Sequence, residues 1–205
     1  MNSTVADFTS HYYDSLVWMN TYWMGQHIYK CPLDLFLYQE ILFRVKPDVI
    51  VECGTNLGGS ALFLAHMCDL LGSGKVITID IVEIARPQHE RITYLLGDSI
   101  SPEIVSQVKQ QISPEDVVLV ILDSEHTEEH VFQELSLYNQ LVTKGSYLIV
   151  EDTLVNGHPI IPAFGPGPME AVQKFLLEND QFNIDSNQHK FFLTFNPKGY
   201  LLKVK

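Results

Sequence analysis

Apolar residues fall along this chain in two alternating rhythms. Short runs rich in apolar residues at Asp48–Cys53, Lys75–Asp80, Arg91–Leu96, Val117–Leu122 and Ser146–Val150 read as strands. Val117–Leu122 is apolar throughout, the pattern of a strand buried on both faces. Between these runs the spacing turns helical. Leu35, Leu37-Tyr38, Ile41-Leu42 and Val45 predict a helix over Leu33–Val45, stopped by Pro47. Further helices are predicted over Gly59–Leu71, Ser101–Gln111, Thr127–Val142 and Pro168–Glu178. Gly72-Ser73-Gly74 ends the first of these, and Ser101-Pro102 opens the second with a serine N-cap and a proline in the first turn. Lys190–Phe195 and Gly199–Val204 are expected as two closing strands, antiparallel about Asn196-Pro197-Lys198-Gly199.

Strands alternating with helices predict an α/β fold, a parallel sheet with helices on both faces. No repeat, linker or low-complexity tract interrupts 33–205, so these residues are expected as one domain. Residues 1–32 differ in texture: Tyr12, Tyr13, Trp18, Tyr22, Trp23 and Tyr29 crowd a segment with little periodicity. This segment is expected as an arm or helix covering the site. An oligomer contact and a first helix packed on its own sheet are the alternatives.

Composition narrows the class of protein. The 205 residues, 46% hydrophobic and 19% charged, suit one globular domain and exclude a disordered chain. A formal charge of −12 without a basic stripe argues against nucleic acid as a partner. Cys31, Cys53 and Cys68 have no CxxC spacing and read as reduced thiols of an intracellular protein. No signal peptide is seen, and no apolar run approaches the ~20 residues that span a bilayer. A cytoplasmic location without membrane contact is expected.

The chemistry is carried by the ends of the strands. Glu52-Cys53-Gly54-Thr55-Asn56-Leu57-Gly58-Gly59-Ser60 reads as Glu-x-Gly-x-x-x-Gly-x-Ser, a strand-to-helix turn that differs from the Gly-x-Gly-x-x-Gly of dinucleotide sites. It suits a cofactor with a ribose and an amino-acid moiety and no phosphate, such as S-adenosylmethionine (SAM). Glu52, Gly54, Thr55, Asn56, Gly58 and Ser60 are the candidate contacts. Asp80 ends the next strand, where a carboxylate can accept hydrogen bonds from both ribose hydroxyls. Asp123, Glu151 and Asp152 end two later strands and offer hard oxygen ligands suited to Mg²⁺. Zinc is disfavoured by the lack of a Cys/His ligand set. His126, three residues after Asp123, is the candidate general base; His158 is the other site histidine. Phe164-Gly165-Pro166-Gly167-Pro168 is expected as a stiff wall of the substrate site or as an ordinary helix entry.

These motifs, with Leu122–His126, Val150–Thr153, Asn156-Gly157-His158-Pro159 and Leu193–Tyr200, resemble the cephalosporin hydroxylase family, which includes rhamnosyl O-methyltransferases. The resemblance runs from Trp23 to the C-terminus. It implies a Rossmann-like methyltransferase fold with a mostly parallel seven-stranded sheet and an antiparallel C-terminal strand. It also implies SAM- and Mg²⁺-dependent O-methylation of a hydroxyl on a sugar or small phenolic metabolite, by a homo-oligomer. A more distant similarity to catechol O-methyltransferases implies that Asp123, Glu151 and Asp152 hold the metal, that Asp123 also belongs to the cofactor set, and that Gly97-Asp98-Ser99 holds the adenine edge. The base there is a lysine where this chain has His126, and the third ligand an amide where it has Asp152. Two other readings stand beside this one. They are a non-catalytic SAM-binding partner and an oxygenase-associated protein; no His-x-Asp/Glu step at a strand end supports iron.

Overall fold

The computed structural model describes residues 3–205, so the first two residues of the expected arm lie outside the described residues. The chain opens with α1 (Ser3–Asp14), a single 3₁₀ turn at Val17–Asn20 and a small hairpin, β1 (Tyr22–Trp23) and β2 (Gln26–His27). Then follow α2 (Pro32–Val45), β3 (Val49–Cys53), α3 (Gly59–Leu71), β4 (Lys75–Asp80), β5 (Ile92–Leu96) and α4 (Pro102–Gln110). The chain continues through β6 (Val118–Leu122), α5 (Glu128–Tyr138), β7 (Tyr147–Val150), α6 (Pro168–Glu178), β8 (Phe182–Ile184) and β9 (Tyr200–Lys203). Among the described residues no helix is long and apolar enough to cross a membrane.

Seven strands form one sheet in the order β5-β4-β3-β6-β7-β9-β8, with β9 antiparallel to both neighbours and the rest parallel. The alternation of side chains along each strand divides the core. Val49, Val51, Val118 and Val120 face α4, α5 and α6, whereas Ile50, Leu119 and Ile121 face α2 and α3. A third, smaller cluster joins Cys31, Leu154, Leu193 and Phe195 to Tyr12, Tyr13 and Trp18 from the first segment.

Register fixes the site. Cys53 lies opposite Ile79 and Leu122, and Leu122 opposite Val150. The next residue on each strand therefore reaches the same edge, which gathers Gly54, Asp80, Asp123 and Glu151. Strand order reverses between β3 and β6, so a crevice opens there at the carboxyl ends.

Two expectations need correction. Residues 190–195 are not a strand, and β9 takes its outer partner from β8, with Ile184 opposite Leu201. The Phe195 amide is held instead by the Asp34 carboxylate at 2.8 Å, which removes it from any ladder. The helix expected to reach Val142 stops at Tyr138. There the Asn139 side-chain amide donates to the carbonyls of Leu135 and Ser136, both at 2.8 Å, and competes with the helical ladder.

Candidate functional site

A cavity of about 750 Å³ fills the crevice. Its floor is the turn after β3, and the turn is built for close approach. Gly54 has φ +95°, and a Cβ there would lie 1.9 Å from the Asp123 carbonyl oxygen, so only glycine lets β3 and β6 leave the sheet side by side. At Gly59 a Cβ would lie 1.9 Å from the His27 carbonyl. The β1–β2 hairpin therefore lies directly over the start of α3, and Trp18, Met19, His27, Ile28 and Tyr29 become part of the cavity wall.

Beneath the turn, Glu52 is 1% exposed and accepts a hydrogen bond from the Thr78 hydroxyl at 2.6 Å, while Thr78 meets Thr55 at 2.6 Å. Burial pushes the Glu52 carboxyl up to about 7, against hydrogen bonds from Ser60 and Thr78. Glu52 thus braces the turn from behind. Asp80 sits at the cavity, accepting from the Asn56 amide at 2.7 Å and the Val82 amide at 2.8 Å, with Arg86 at 3.2 Å. Further along the edge, Ser99 and Ser124 both donate to Oε1 of the fully buried Glu134, at 2.6 and 2.7 Å. This carboxylate ties the segment after β5 to the one after β6.

The far end of the cavity holds the acids. His126 Nε2 lies 3.5 Å from Asp123 Oδ1 and 3.5 Å from Asp152 Oδ2, buried and without a hydrogen-bond partner of good geometry. Burial lowers the His126 pKa, but the carboxylates of Asp152 and Asp123 outweigh it and raise it to about 9. Asp123 turns its other oxygen, Oδ2, to Lys30 Nζ at 2.5 Å, and Glu151 Oε1 lies 2.7 Å from the same ammonium. The Tyr38 hydroxyl also donates to Glu151 Oε1. Burial opposes the charge on Asp123, yet Lys30 and His126 hold its carboxyl below the ordinary range. Glu151 and Asp152 are raised, chiefly by burial.

Ligand atoms of Asp123, His126 and Asp152 lie within 4.8 Å of one another. The Asp123 and Asp152 carboxylates offer the hard oxygens a small divalent cation takes, and the buried His126 nitrogen without a partner stands beside them as a group free to handle a proton. A second group, His66, Asp69 and His89, does not. The Trp23 indole donates to His66 Nδ1 at 2.9 Å and the Arg91 amide to His89 Nδ1 at 3.2 Å. Each neutral ring then carries its hydrogen on Nε2 and has no lone pair left for a metal.

Of the residues predicted from sequence, Gly54, Thr55, Asn56, Ser60, Asp80, Asp98, Ser99, Asp123, His126 and Asp152 all line the cavity. Glu52 lies beneath the turn, Gly58 packs against Arg86 and Pro87 and does not line the cavity, and Glu151 faces Lys30 and Tyr38 rather than the cavity. His158 is turned away, 2.8 Å from Glu170, which also accepts from the Gly167 amide at 2.8 Å. The Phe164–Pro168 loop packs at the start of α5, where its Pro166 carbonyl accepts from Glu128, and it does not line the cavity. Sequence reasoning passed over Lys30, Tyr38, Arg86 and Glu134. Lys30 carries no motif, and only the fold brings it to Asp123, 93 positions away.

The family model for rhamnosyl O-methyltransferase/CmcI matches residues 15–204. A rhamnosyl O-methyltransferase of Mycobacterium tuberculosis (strain ATCC 25618 / H37Rv) is 35% identical over 211 residues, covering 98% of this chain and 86% of that protein. One from Mycobacterium leprae (strain TN) is 35% identical over 210 residues, covering 98% and 91%. Among solved structures, a Mg-SAM form of CmcI aligns with TM-score 0.69 at 22% identity over 91% of this chain and 78% of that one, a likeness of fold.

Proposed function

The chain belongs to the rhamnosyl O-methyltransferase/CmcI family and is a SAM-dependent O-methyltransferase, and we propose that it methylates a sugar hydroxyl with the help of Mg²⁺. One observation carries the reading. The Asp123–His126–Asp152 group opens into the same cavity as the Gly54 turn and Asp80, so acceptor chemistry and cofactor share one space. In this reading Asp80 receives the ribose, Asp98 and Ser99 border the adenine, and the turn at Gly54, Thr55, Asn56 and Ser60 receives the amino-acid end. Glu52 braces that turn from beneath, and Gly58 packs beside Arg86 and Pro87.

Asp123, Glu151 and Asp152 would hold the metal, which when bound lowers the pKa of an acceptor hydroxyl. His126 accepts the hydroxyl proton. Its imidazole is held above its ordinary pKa by Asp152 and Asp123, and it returns toward a neutral base when those carboxylates are neutralised. SAM, bound there, would supply an electrophilic sulfonium methyl to the acceptor oxygen, its carbon–sulfur bond breaking with the electron pair kept by sulfur, to give a methyl ether and S-adenosylhomocysteine. The protein contributes alignment and a shielded field.

The rhamnosyl O-methyltransferase name of the relatives supports a sugar acceptor, and Trp18, His27 and Tyr29 supply an aromatic wall for one face of a sugar ring. Of residues 1–32, the described part, 3–32, would then serve as the arm that covers the site of 33–205. We expect a cytoplasmic homo-oligomer, with the exposed Phe36, Phe43 and Phe192 as apolar contact surface. The test is S-adenosylhomocysteine release from a panel of rhamnosyl and phenolic acceptors, with Mg²⁺ or with a chelator. Turnover on rhamnosyl acceptors that stops with the chelator is expected. Turnover untouched by chelation, or confined to phenols, contradicts the reading.

A further inference from the structure

Lys30 is a charged residue at the carboxylate centre that the methyl-transfer chemistry above does not use. Its side chain is 6% exposed, and its ammonium lies between Asp123 Oδ2 at 2.5 Å and Glu151 Oε1 at 2.7 Å. These are acids from two neighbouring strands, β6 and β7, that the reading above assigns to a divalent ion. While the ammonium bridges them, neither oxygen is open to another cation. Glu151 is not among the Asp123, His126 and Asp152 ligand atoms that lie close to one another.

The surroundings suit a cation that leaves. Glu151 does not depend on Lys30 for its position, because the Tyr38 hydroxyl on α2 donates to the same oxygen. Asp123 keeps His126 beside its second oxygen. Lysine is the fitting residue for such a place: a compact point charge on a flexible stem can be exchanged for another cation, whereas a guanidinium locks both acids in a fixed fork. Lys30 also follows Tyr29, a cavity-lining residue with φ +51°, in the link between β2 and α2.

We propose that Lys30 is a built-in stand-in for the metal: its ammonium keeps Asp123 and Glu151 neutralised and in place, and a divalent ion must expel it from between them to complete the site. The inference rests on the metal-dependent reading above, and the two can fail separately. Without Lys30 three neighbouring carboxylates face one another with His126 as the sole remaining cation at the cluster among the described residues. Affinity for the metal should then rise while the empty protein loses stability.

The experiment has two arms. In the unaltered protein, lysines are reductively dimethylated with and without saturating Mg²⁺ and located by peptide mass spectrometry. Lys30 is expected to react slowly without the ion and at least about tenfold faster with it, as a buried ion pair opens. Lys190 and Lys205 are exposed controls that stay unchanged. In the second arm, Mg²⁺ is titrated into Lys30→Met and the unaltered protein by calorimetry. Binding about tenfold tighter or more in the variant is expected from removal of a competing charge. If Mg²⁺ binds and Lys30 stays protected, or Lys30→Met binds equally or more weakly, the stand-in role is overturned and the metal reading stands. If neither protein binds Mg²⁺, both fall together. Should Lys30→Met fail to fold, the labelling arm decides alone.

Discussion

Asp34 and the Asp123–Glu151–Asp152 group are two acidic centres of this fold, and they are built on opposite plans. Asp34 is 1% exposed and has every acceptor matched. Thr194 and Tyr200 donate to Oδ1 at 2.5 and 2.8 Å, and the Phe195 amide donates to Oδ2 at 2.8 Å. All three donors are neutral and all come from the C-terminal segment, so Asp34 acts as a staple between α2 and the chain end. The Asp123–Glu151–Asp152 centre instead sets several carboxylates against two cations, Lys30 and His126. One of those, His126, lies 3.5 Å from each of its acids. A buried acid with a complete set of neutral donors is spent on structure. Acids that leave a buried nitrogen unmatched beside a cavity retain free energy for a ligand.

Substitutions should separate the two plans. Asp123→Asn removes the acid shared by Lys30 and His126 and should lower kcat/KM for methyl transfer about 10³-fold, with the protein still folded. Steady-state kinetics alongside circular dichroism checks this, and a loss under tenfold would place the chemistry elsewhere. Asp34→Ala should do the reverse. It orphans two hydroxyls and an amide in the core and should cost about 4 kcal/mol in urea unfolding, while the folded fraction keeps its affinity for SAM.

The pH dependence sharpens the same contrast. Burial raises Asp34 from 3.8 to about 6, against the hydrogen bonds from Thr194, Phe195 and Tyr200. The native state therefore holds this proton more tightly than the unfolded chain does. The resulting stability is complete below the unfolded value of 3.8 and is lost as pH rises through about 6. Between those limits the unaltered protein should lose up to about 3 kcal/mol relative to Asp34→Asn, measured as the difference between their stability–pH curves. Parallel curves would mean that Asp34 has the same pKa in the folded and unfolded chain. The smallest effect is expected at Gly54→Ala, where a methyl group meets the Asp123 carbonyl at positive φ. A stability loss of about 2 kcal/mol with weakened SAM binding is expected there, by thermal unfolding and calorimetry.

What was legible in the sequence follows the same division. The strands β3, β4, β6 and β7 announce themselves because apolar residues on both faces leave little choice of partner. The glycine turn and the acids after each strand are legible because a parallel sheet delivers every carboxyl end to one edge. The closing strand pair was misplaced because Lys190–Phe195 has strand-like composition, but its amide at Phe195 is claimed by Asp34, a contact 161 positions away. The first segment gave no periodicity because its rings serve different surfaces. Tyr13 and Trp18 surround Phe195, Trp23 packs edge-on against Phe63, and His27 and Tyr29 face the cavity. Lys30 was illegible for a simpler reason. A single lysine between an aromatic stretch and a proline has no local signature, and its role exists only once β6, β7 and α2 converge.

The most direct test of the account is a calorimetric titration of Mg²⁺ into the SAM-loaded protein, run beside Asp123→Asn and Asp34→Asn. The account predicts one ion per chain in the unaltered protein, binding retained in Asp34→Asn and binding lost in Asp123→Asn. Absence of binding in the unaltered protein, or binding untouched by Asp123→Asn, would contradict the claim that these acids form a metal centre.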